Sequence, residues 1–452
     1  MAGIFKAYDV RGIVPSELNE EQAYAIGYYF PDLLPEADTS QVRAVVVSRD
    51  MRTTSTALAE ALTLGLRSRG FEVWDIGLAT TPMNYFAVGH LGASGGIQVT
   101  ASHNPSQYNG FKFSRREAIP VSWETGIAKL EALVSGGIPP NAEPKASRVA
   151  MEIWPAYHDH VLRFLRYRQP RLKVAVDVAN GMATLYEPLF SELGVELVPL
   201  FFGLDGSFPN HEANPLKEEN LRALQQAVVE QGCALGVAFD GDADRAIMVD
   251  ETGTTIGADL LTALLAGPIL RRFPGASIVY DVRSSWATRE AILEAGGIPV
   301  RERVGHSFMK ATMRKLNSPF GGELAGHFYY QENYFADSAI ITMVEVLNLL
   351  REEQRPLSQL VAGLKRYART GEMNFRITNK DEVIQRLASE FGEGKVDFLD
   401  GITVEFEDWW CNVRPSNTEP FLRLVIEAKS EELLTTVQQR VVEAISRLGR
   451  QS

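Results

Sequence analysis

At 452 residues the chain is too long for one comfortable core, and at roughly 150 residues per domain its length alone suggests about three domains. With 45% hydrophobic and 23% charged residues it is ordinarily globular, and a net charge of -12 argues against a nucleic-acid or anionic-membrane binder, so an anionic substrate would need a local basic site. Cys233 and Cys411, the only cysteines, allow no disulfide framework or cysteine metal site and suit a reducing compartment.

The amino terminus, Met1 to Lys6, lacks the basic start and apolar run of a signal peptide, and Ala2 excludes the usual myristoylation pattern. A cytoplasmic location is expected. Three strand, helix, strand passages then follow in α/β rhythm. The first comprises Arg43 to Ser48, Ser55 to Gly70 and Phe71 to Ile76; the second, Lys173 to Val178, a helix near Thr184 to Leu193, and Val195 to Leu200. The apolar stretch around Leu260 to Leu270 reads as a buried helix, too short for a bilayer. The third passage is Ser277 to Val282, Trp286 to Ala295 and Ile298 to Arg303. No close residue-level repeat is evident.

After Pro356 the texture changes to a helix, strands at Phe375 to Thr378 and Ile402 to Phe406, and a last helix from Glu431 to Leu448. This reads as a smaller α+β domain. Linkers are expected at Ser135 to Ser147 and near Gly371, with a close junction at Asp250 to Gly257.

Four segments carry chemistry. Thr100 to Pro105 follows the strand-like Gly96 to Val99 and precedes an expected loop holding Asn109, Gly110, Phe111 and Lys112. Ser102 there is either a nucleophile or part of a self-satisfied turn. A Ser-His-Asp hydrolase is a poor reading: adjacent Ser102 and His103 should not readily hydrogen-bond, and Ser102 sits in no G-x-S-x-G elbow.

In Asp240-Gly-Asp242-Ala-Asp244-Arg245, alternating carboxylates on a tight loop suit a hard cation such as Mg²⁺. An EF-hand fails because Arg245 replaces the turn glycine and the flanks read as strands, although Glu251 falls at the last ligand position. A solvated acidic turn is the plain alternative. Gly321 to His327 brings glycine flexibility with Glu323 and His327, which suits sugar hydroxyls or forms a simple turn. Arg414 to Pro420 joins a guanidinium to Ser416, Asn417 and Thr418, as a phosphate clamp or a Pro-bounded turn.

Taken in order, and with Ala7 to Gly12 at the start, these segments resemble the α-D-phosphohexomutase family, particularly its bacterial phosphomannomutase/phosphoglucomutase branch. The resemblance spans nearly the whole chain. It implies three similar mixed-sheet α/β domains and a C-terminal α+β domain like the TATA-binding protein, around a central cleft. The domains expected are 1–146 with the phosphoserine loop, 147–251 with the Mg²⁺ loop, 252–369 with the sugar loop and 370–452 with the phosphate loop.

The resemblance also implies roles. Ser102 would carry the phosphoryl group and, with Asp240, Asp242 and Asp244, bind Mg²⁺. Lys112 would be the general base or acid, its pKa lowered by nearby cations, with Arg11 and His103 assisting. Tyr8, Arg245, Arg283, His306, Glu323, Ala325, His327, Arg414, Ser416, Asn417 and Thr418 would meet the substrate. The implied reaction interconverts mannose and/or glucose 1- and 6-phosphates through a hexose 1,6-bisphosphate, which also serves as activator, in a monomer or small homo-oligomer without nucleic-acid or membrane partners.

Ala325 stands where many relatives have serine, and Ala101 and Ala243 at positions often held by glycine or another residue, so one contact is expected to be missing. Asn417 and Leu324 point to the mannose/glucose branch and away from glucosamine phosphate. A Mg²⁺-dependent phosphatase and a silent sugar-phosphate sensor are the competing functions; an intact Ser102, Lys112 and aspartate set argues against the sensor.

Overall fold

The β-branched run Ala44–Arg49 is a central strand, buried on both faces between parallel neighbours Glu72–Leu78 and Gly95–Val99. The structure, a computed structural model, describes residues 3–36, 42–137, 139–140, 142–416 and 421–450. It divides into two compact units, Met1–Ala258 with Ala325–Ser358, and Asp259–Leu324 with Gln359–Ser452.

In the first unit, the sheet containing Ala44–Arg49 runs in the order Asp9–Ile13, Tyr108–Arg115, Gly95–Val99, Ala44–Arg49, Glu72–Leu78, Arg148–Ala150. Tyr108–Arg115 is antiparallel to both its neighbours. The loop expected around Lys112 is therefore a strand. Two features hid it: the strand is buried on both faces, which erases the polar and apolar alternation, and Asn109-Gly110 imitates a hairpin turn. Gly110 serves a different purpose, since a Cβ there would lie 1.9 Å from the Val10 carbonyl oxygen.

A second sheet orders Thr255–Ile256, Ala246–Asp250, Leu235–Phe239, Leu172–Asp177 and Val195–Leu200. Leu235–Phe239 and Ala246–Asp250 form an antiparallel hairpin, so residues 240–245 are its connection. The helix expected near Thr184 is split into a 3₁₀ turn, Met182–Tyr186, and a short helix, Glu187–Glu192, whose first turn takes Pro188. Ala339–Glu353, buried along nearly its whole length, also belongs to this unit. Arg351 anchors it by donating to the carbonyls of Tyr167, Pro170, Leu193 and Gly194.

In the second unit, Ser277–Asp281 lies between parallel Ile298–Glu302 and Phe320–Gly322. Its C-terminal part is an antiparallel sheet ordered Ala368–Arg369, Phe421–Ala428, Trp409–Pro415, Ile402–Glu405, Lys395–Asp397, with Met373–Arg376 also on Phe421–Ala428. Glu431–Arg450 covers it because Leu434, Val437, Val441, Ala444, Ile445 and Leu448 recur at helical spacing and form one buried stripe. The chain is thus α/β with a C-terminal antiparallel domain. Among the described residues no helix is long and apolar enough to cross a membrane.

One buried group gives this fold a pH response. The His160 Nε2 atom lies 2.9 Å from Asn333 Oδ1, and burial pushes the imidazole down to about 4. Because the unfolded chain binds that proton more readily, stability is complete above the ordinary histidine range near 6.5 and falls as pH drops toward 4, by about 3 kcal/mol in all. The difference in thermal midpoint between the parent and His160→Gln should therefore narrow steadily from pH 7 to pH 4; a constant difference would show that His160 does not titrate in this way.

Candidate active site

Ser102 sits in the connection between Gly95–Val99 and Tyr108–Arg115 with φ of 50°, in the left-handed region, and is 1% exposed. Its Oγ donates to Asp240 Oδ2 at 2.8 Å and lies 3.1 Å from His103 Nδ1. The expectation that these adjacent residues would not readily hydrogen-bond is corrected by this contact. The left-handed turn at Ser102 brings the two side chains to the same side. Burial, followed by the charges of Arg245, Arg11 and Lys112, pushes His103 well below the usual histidine range, so its ring is neutral.

The aspartate loop approaches this serine closely. A Cβ on Gly241 would lie 2.5 Å from the Ser102 carbonyl oxygen, so only glycine fits. Asp240 Oδ1 accepts from the backbone N–H of Asp244 and Arg245, each at 3.1 Å, which folds the loop around its own first carboxylate. Ala243 occupies the left-handed turn position of this loop at φ of 63°. One oxygen from each of Asp240, Asp242 and Asp244 can be chosen so that all lie within 4.8 Å of one another, and all three residues are buried.

Three anions that close are costly without cations. Lys112 Nζ, 2.7 Å from Asp242 Oδ2 and 2.5 Å from Asp244 Oδ2, supplies one. Burial alone would lower Lys112, but the two aspartates outweigh it and hold the ammonium well above the usual lysine range. The expected lowering by neighbouring cations is thus reversed. Burial would likewise raise Asp244, yet Lys112, His327 and Arg245 keep it well below the usual carboxylate range, whereas burial with Asp244 and Asp242 pushes Asp240 well up. Asp242 Oδ1 is buried with no hydrogen-bond partner among the described residues. A hard divalent cation fits this set: three convergent carboxylates, one with an unused buried oxygen, and one carboxylate that burial and like charge disfavour as an anion.

Arg11 and His327 complete the cluster in this unit. Arg11 donates to Asp9 Oδ2 at 2.8 Å and to Asn104 Oδ1 at 2.5 Å, beside the serine loop. Arg245 Nε donates to His327 Nε2 at 3.2 Å, and that nitrogen is 3.3 Å from Asp244 Oδ1. Ala325 and Tyr8 are half-buried.

The second unit holds a separate set. Arg283 is bonded to Asp281 at 2.7 Å, and Arg414 donates to Glu372 at 2.9 Å, with Arg283 3.7 Å and Arg423 3.1 Å from the same carboxylate group. Burial, then the like charge of Arg283, lowers Arg414, and its buried Nε has no hydrogen-bond partner among the described residues. A buried guanidinium with an unused donor is suited to an anion. Glu323 is buried and accepts from the Gly305 backbone N–H at 2.7 Å, which ties it to the start of helix His306–Leu316. Ser416 is buried and His306 half-buried; Asn417 and Thr418 lie outside the described residues.

Comparison with known proteins decides the family. Four domain models described as phosphoglucomutase/phosphomannomutase α/β/α domains I, II and III and C-terminal domain match residues 2–137, 155–253, 258–367 and 372–444. The chain belongs to the phosphoglucomutase/phosphomannomutase family. A protein named phosphohexose mutases from Xanthomonas campestris pv. campestris (strain B100) is 40% identical, covering 97% of this chain and 98% of its own. The phosphomannomutase of Escherichia coli (strain K12) is 37% identical, covering 97% of each. A crystal structure of a phosphoglucomutase/phosphomannomutase family protein from Burkholderia thailandensis superposes with a TM-score of 0.90 at 33% identity, over 99% of this chain and 98% of its own. This chain is accordingly an enzyme of the mutase class, an isomerase acting by phosphoryl transfer.

Within this family member, reading motifs missed the residues that hold the site in place. Thr81 Oγ1 donates to Asp242 Oδ2 at 2.5 Å, and Asp50, Arg52 and Thr100 lie buried beneath the serine loop. A signal was available. Asp50-Met51-Arg52, Asp177-Val178-Ala179 and Asp281-Val282-Arg283 each follow or end the first strand of an α/β passage, and in each the aspartate accepts the backbone N–H two residues on, at 3.0, 2.9 and 2.8 Å. Aligning the strand ends would have shown this shared turn.

Proposed function

We propose that this enzyme interconverts hexose 1-phosphates and hexose 6-phosphates, of mannose and/or glucose, through phosphorylated Ser102 and a hexose 1,6-bisphosphate. One observation carries the reading: a buried serine hydroxyl donates to Asp240 within a three-carboxylate cluster that retains an unused oxygen on Asp242. The mannose assignment also draws on the phosphomannomutase name of the Escherichia coli relative.

In the forward half-reaction the P–O bond to Ser102 Oγ breaks and a P–O bond to the free sugar hydroxyl forms, so the hydroxyl proton is transferred in net terms to Oγ. Lys112 holds or moves the proton at the sugar oxygen, and neutral His103, 3.1 Å from Oγ, is placed to exchange one there. Arg11 balances charge beside the serine loop. When bound to Asp240, Asp242, Asp244 and the phosphoserine, Mg²⁺ would neutralise the phosphoryl oxygens and compete with Lys112 for the aspartates. The bisphosphate then turns over, and its other phosphate returns to Ser102.

Glu323 and His327 are assigned to sugar hydroxyls, and Arg414, Ser416, Asn417 and Thr418 to the phosphate that does not react. Arg245, Arg283, His306 and Tyr8 are assigned to the substrate as well. Ala325 contributes backbone and methyl contact only, where a serine would add a hydroxyl. A cytoplasmic location belongs to the same reading, in keeping with two free thiols.

The test is a coupled assay on mannose, glucose and glucosamine 1-phosphates, with and without Mg²⁺ and a hexose 1,6-bisphosphate. Formation of the 6-phosphates of mannose or glucose, lost on chelation and stimulated by the bisphosphate, is expected. Predominant release of inorganic phosphate would replace the mutase by a phosphatase.

A further inference from the structure

The proposed phosphoryl carrier lies on a loop whose shape is held by a residue outside that chemistry. Ser102 adopts the left-handed conformation, which costs a non-glycine residue about 1 to 2 kcal/mol, so something else must impose it. Arg52 is 2% exposed and bonds with all five N–H donors of its guanidinium. Nη2 donates to the carbonyls of Ser102 at 2.9 Å and Asn104 at 2.6 Å; Nη1 donates to those of Pro105 at 2.8 Å and Tyr108 at 3.0 Å. Nε donates to Asp50 Oδ2 at 3.2 Å.

The same carboxylate closes the other side of the serine. Asp50 Oδ2 accepts from Thr100 Oγ1 at 2.7 Å, and Thr100 Oγ1 accepts from the Ser102 backbone N–H at 2.9 Å. Both peptide groups of Ser102 are therefore anchored to one buried ion pair, its carbonyl directly and its N–H through one hydroxyl. Phe208 covers the guanidinium, with its ring centroid 5.0 Å away. Such a clamp fixes where Oγ points.

We infer that Arg52 is a positioning residue for phosphoryl transfer, holding Ser102 Oγ at the aspartate cluster by reading four carbonyls of the serine loop. The inference rests on the mutase reading above. Arg351 also gathers four carbonyls, but beside a helix remote in sequence from the serine, and Arg283, the counterpart of Arg52, bonds its own Asp281 with no fork of loop carbonyls among the described residues; Arg52 directs its fork at the serine loop. A lysine keeps the charge and loses the fork, with three donors on a point-like head.

Arg52→Lys should lower kcat by about 10²-fold, with KM for the hexose phosphate changed less than about 3-fold, because a misplaced nucleophile slows the step without altering substrate contacts. The transfer rate of labelled phosphate from the isolated phosphoenzyme to hexose phosphate, followed by intact mass, should fall in the same proportion. Thr100→Val, a milder change that removes the Ser102 N–H acceptor together with its link to Asp50 and leaves the Arg52 fork in place, should lower kcat about 10-fold, also at constant KM. It decides the matter if the Arg52 variant does not fold. Near-parental kcat and transfer rate in a folded Arg52→Lys protein, or in Thr100→Val, would overturn the positioning role while leaving the mutase reading intact. A parent protein that neither interconverts hexose phosphates nor carries phosphate on Ser102 would overturn both.

Discussion

Ser102→Ala is expected to reduce mutase turnover by about 10³-fold or more while sugar-phosphate binding stays measurable. The substitution removes the only atom to which the phosphoryl group can be attached in the proposed cycle. It leaves the loop standing, because its shape depends on backbone groups of Ser102 and on Arg52 and Thr100 rather than on Oγ. The hydroxyl lost is bonded to Asp240 and faces His103, so the variant should also stop taking label from a phosphorylated donor. Intact mass after incubation with a hexose 1,6-bisphosphate checks this directly. Substantial turnover in a folded Ser102→Ala protein would remove the nucleophile from the proposal.

Arg414→Ala should raise KM for hexose phosphates by about 30-fold to 5 × 10³-fold with a smaller effect on kcat, corresponding to about 2 to 5 kcal/mol of binding. Arg414 is buried, lowered by burial and by Arg283, and carries an Nε unused among the described residues, so a bound phosphate would relieve a charge that Glu372 and Asp400 compensate incompletely. Arg414→Lys should recover only part of the loss, because a point charge cannot match the two-pronged geometry of a guanidinium. Unchanged kinetics in Arg414→Ala would exclude Arg414 from the phosphate contact, and full recovery in Arg414→Lys would show that charge without the fork suffices. The contrast between the two experiments is useful in itself: one variant should fail in the chemical step, the other in holding the substrate.

Much of the site was legible because phosphoryl transfer concentrates its requirements in short segments. A tight loop with alternating aspartates between two apolar runs suits a turn that points its carboxylates together, a solvated acidic turn being the alternative, and residues 240–245 lie as a hairpin connection with the three carboxylates buried together. The strand ends were legible within a residue or two for the same kind of reason, since buried parallel strands such as Ala44–Arg49 demand β-branched runs. Lys112 was harder to place. It belongs to a strand buried on both faces, where periodicity carries no information, and an Asn-Gly pair that usually marks a turn instead marks a close passage of two strands.

From the amino-acid order alone came the family resemblance, the four-part organisation and the identity of Ser102, Asp240, Asp242 and Asp244 as chemical candidates, because these depend on residue type and local spacing. Tertiary structure alone decided their condition. Lys112 is held charged by two aspartates more than a hundred residues away, His103 meets Ser102 through a left-handed turn, and Arg52 grips a loop fifty residues further on. Each of these depends on which groups are brought within hydrogen-bonding distance in a buried, low-dielectric setting, where one neighbouring charge outweighs the intrinsic tendency of the residue.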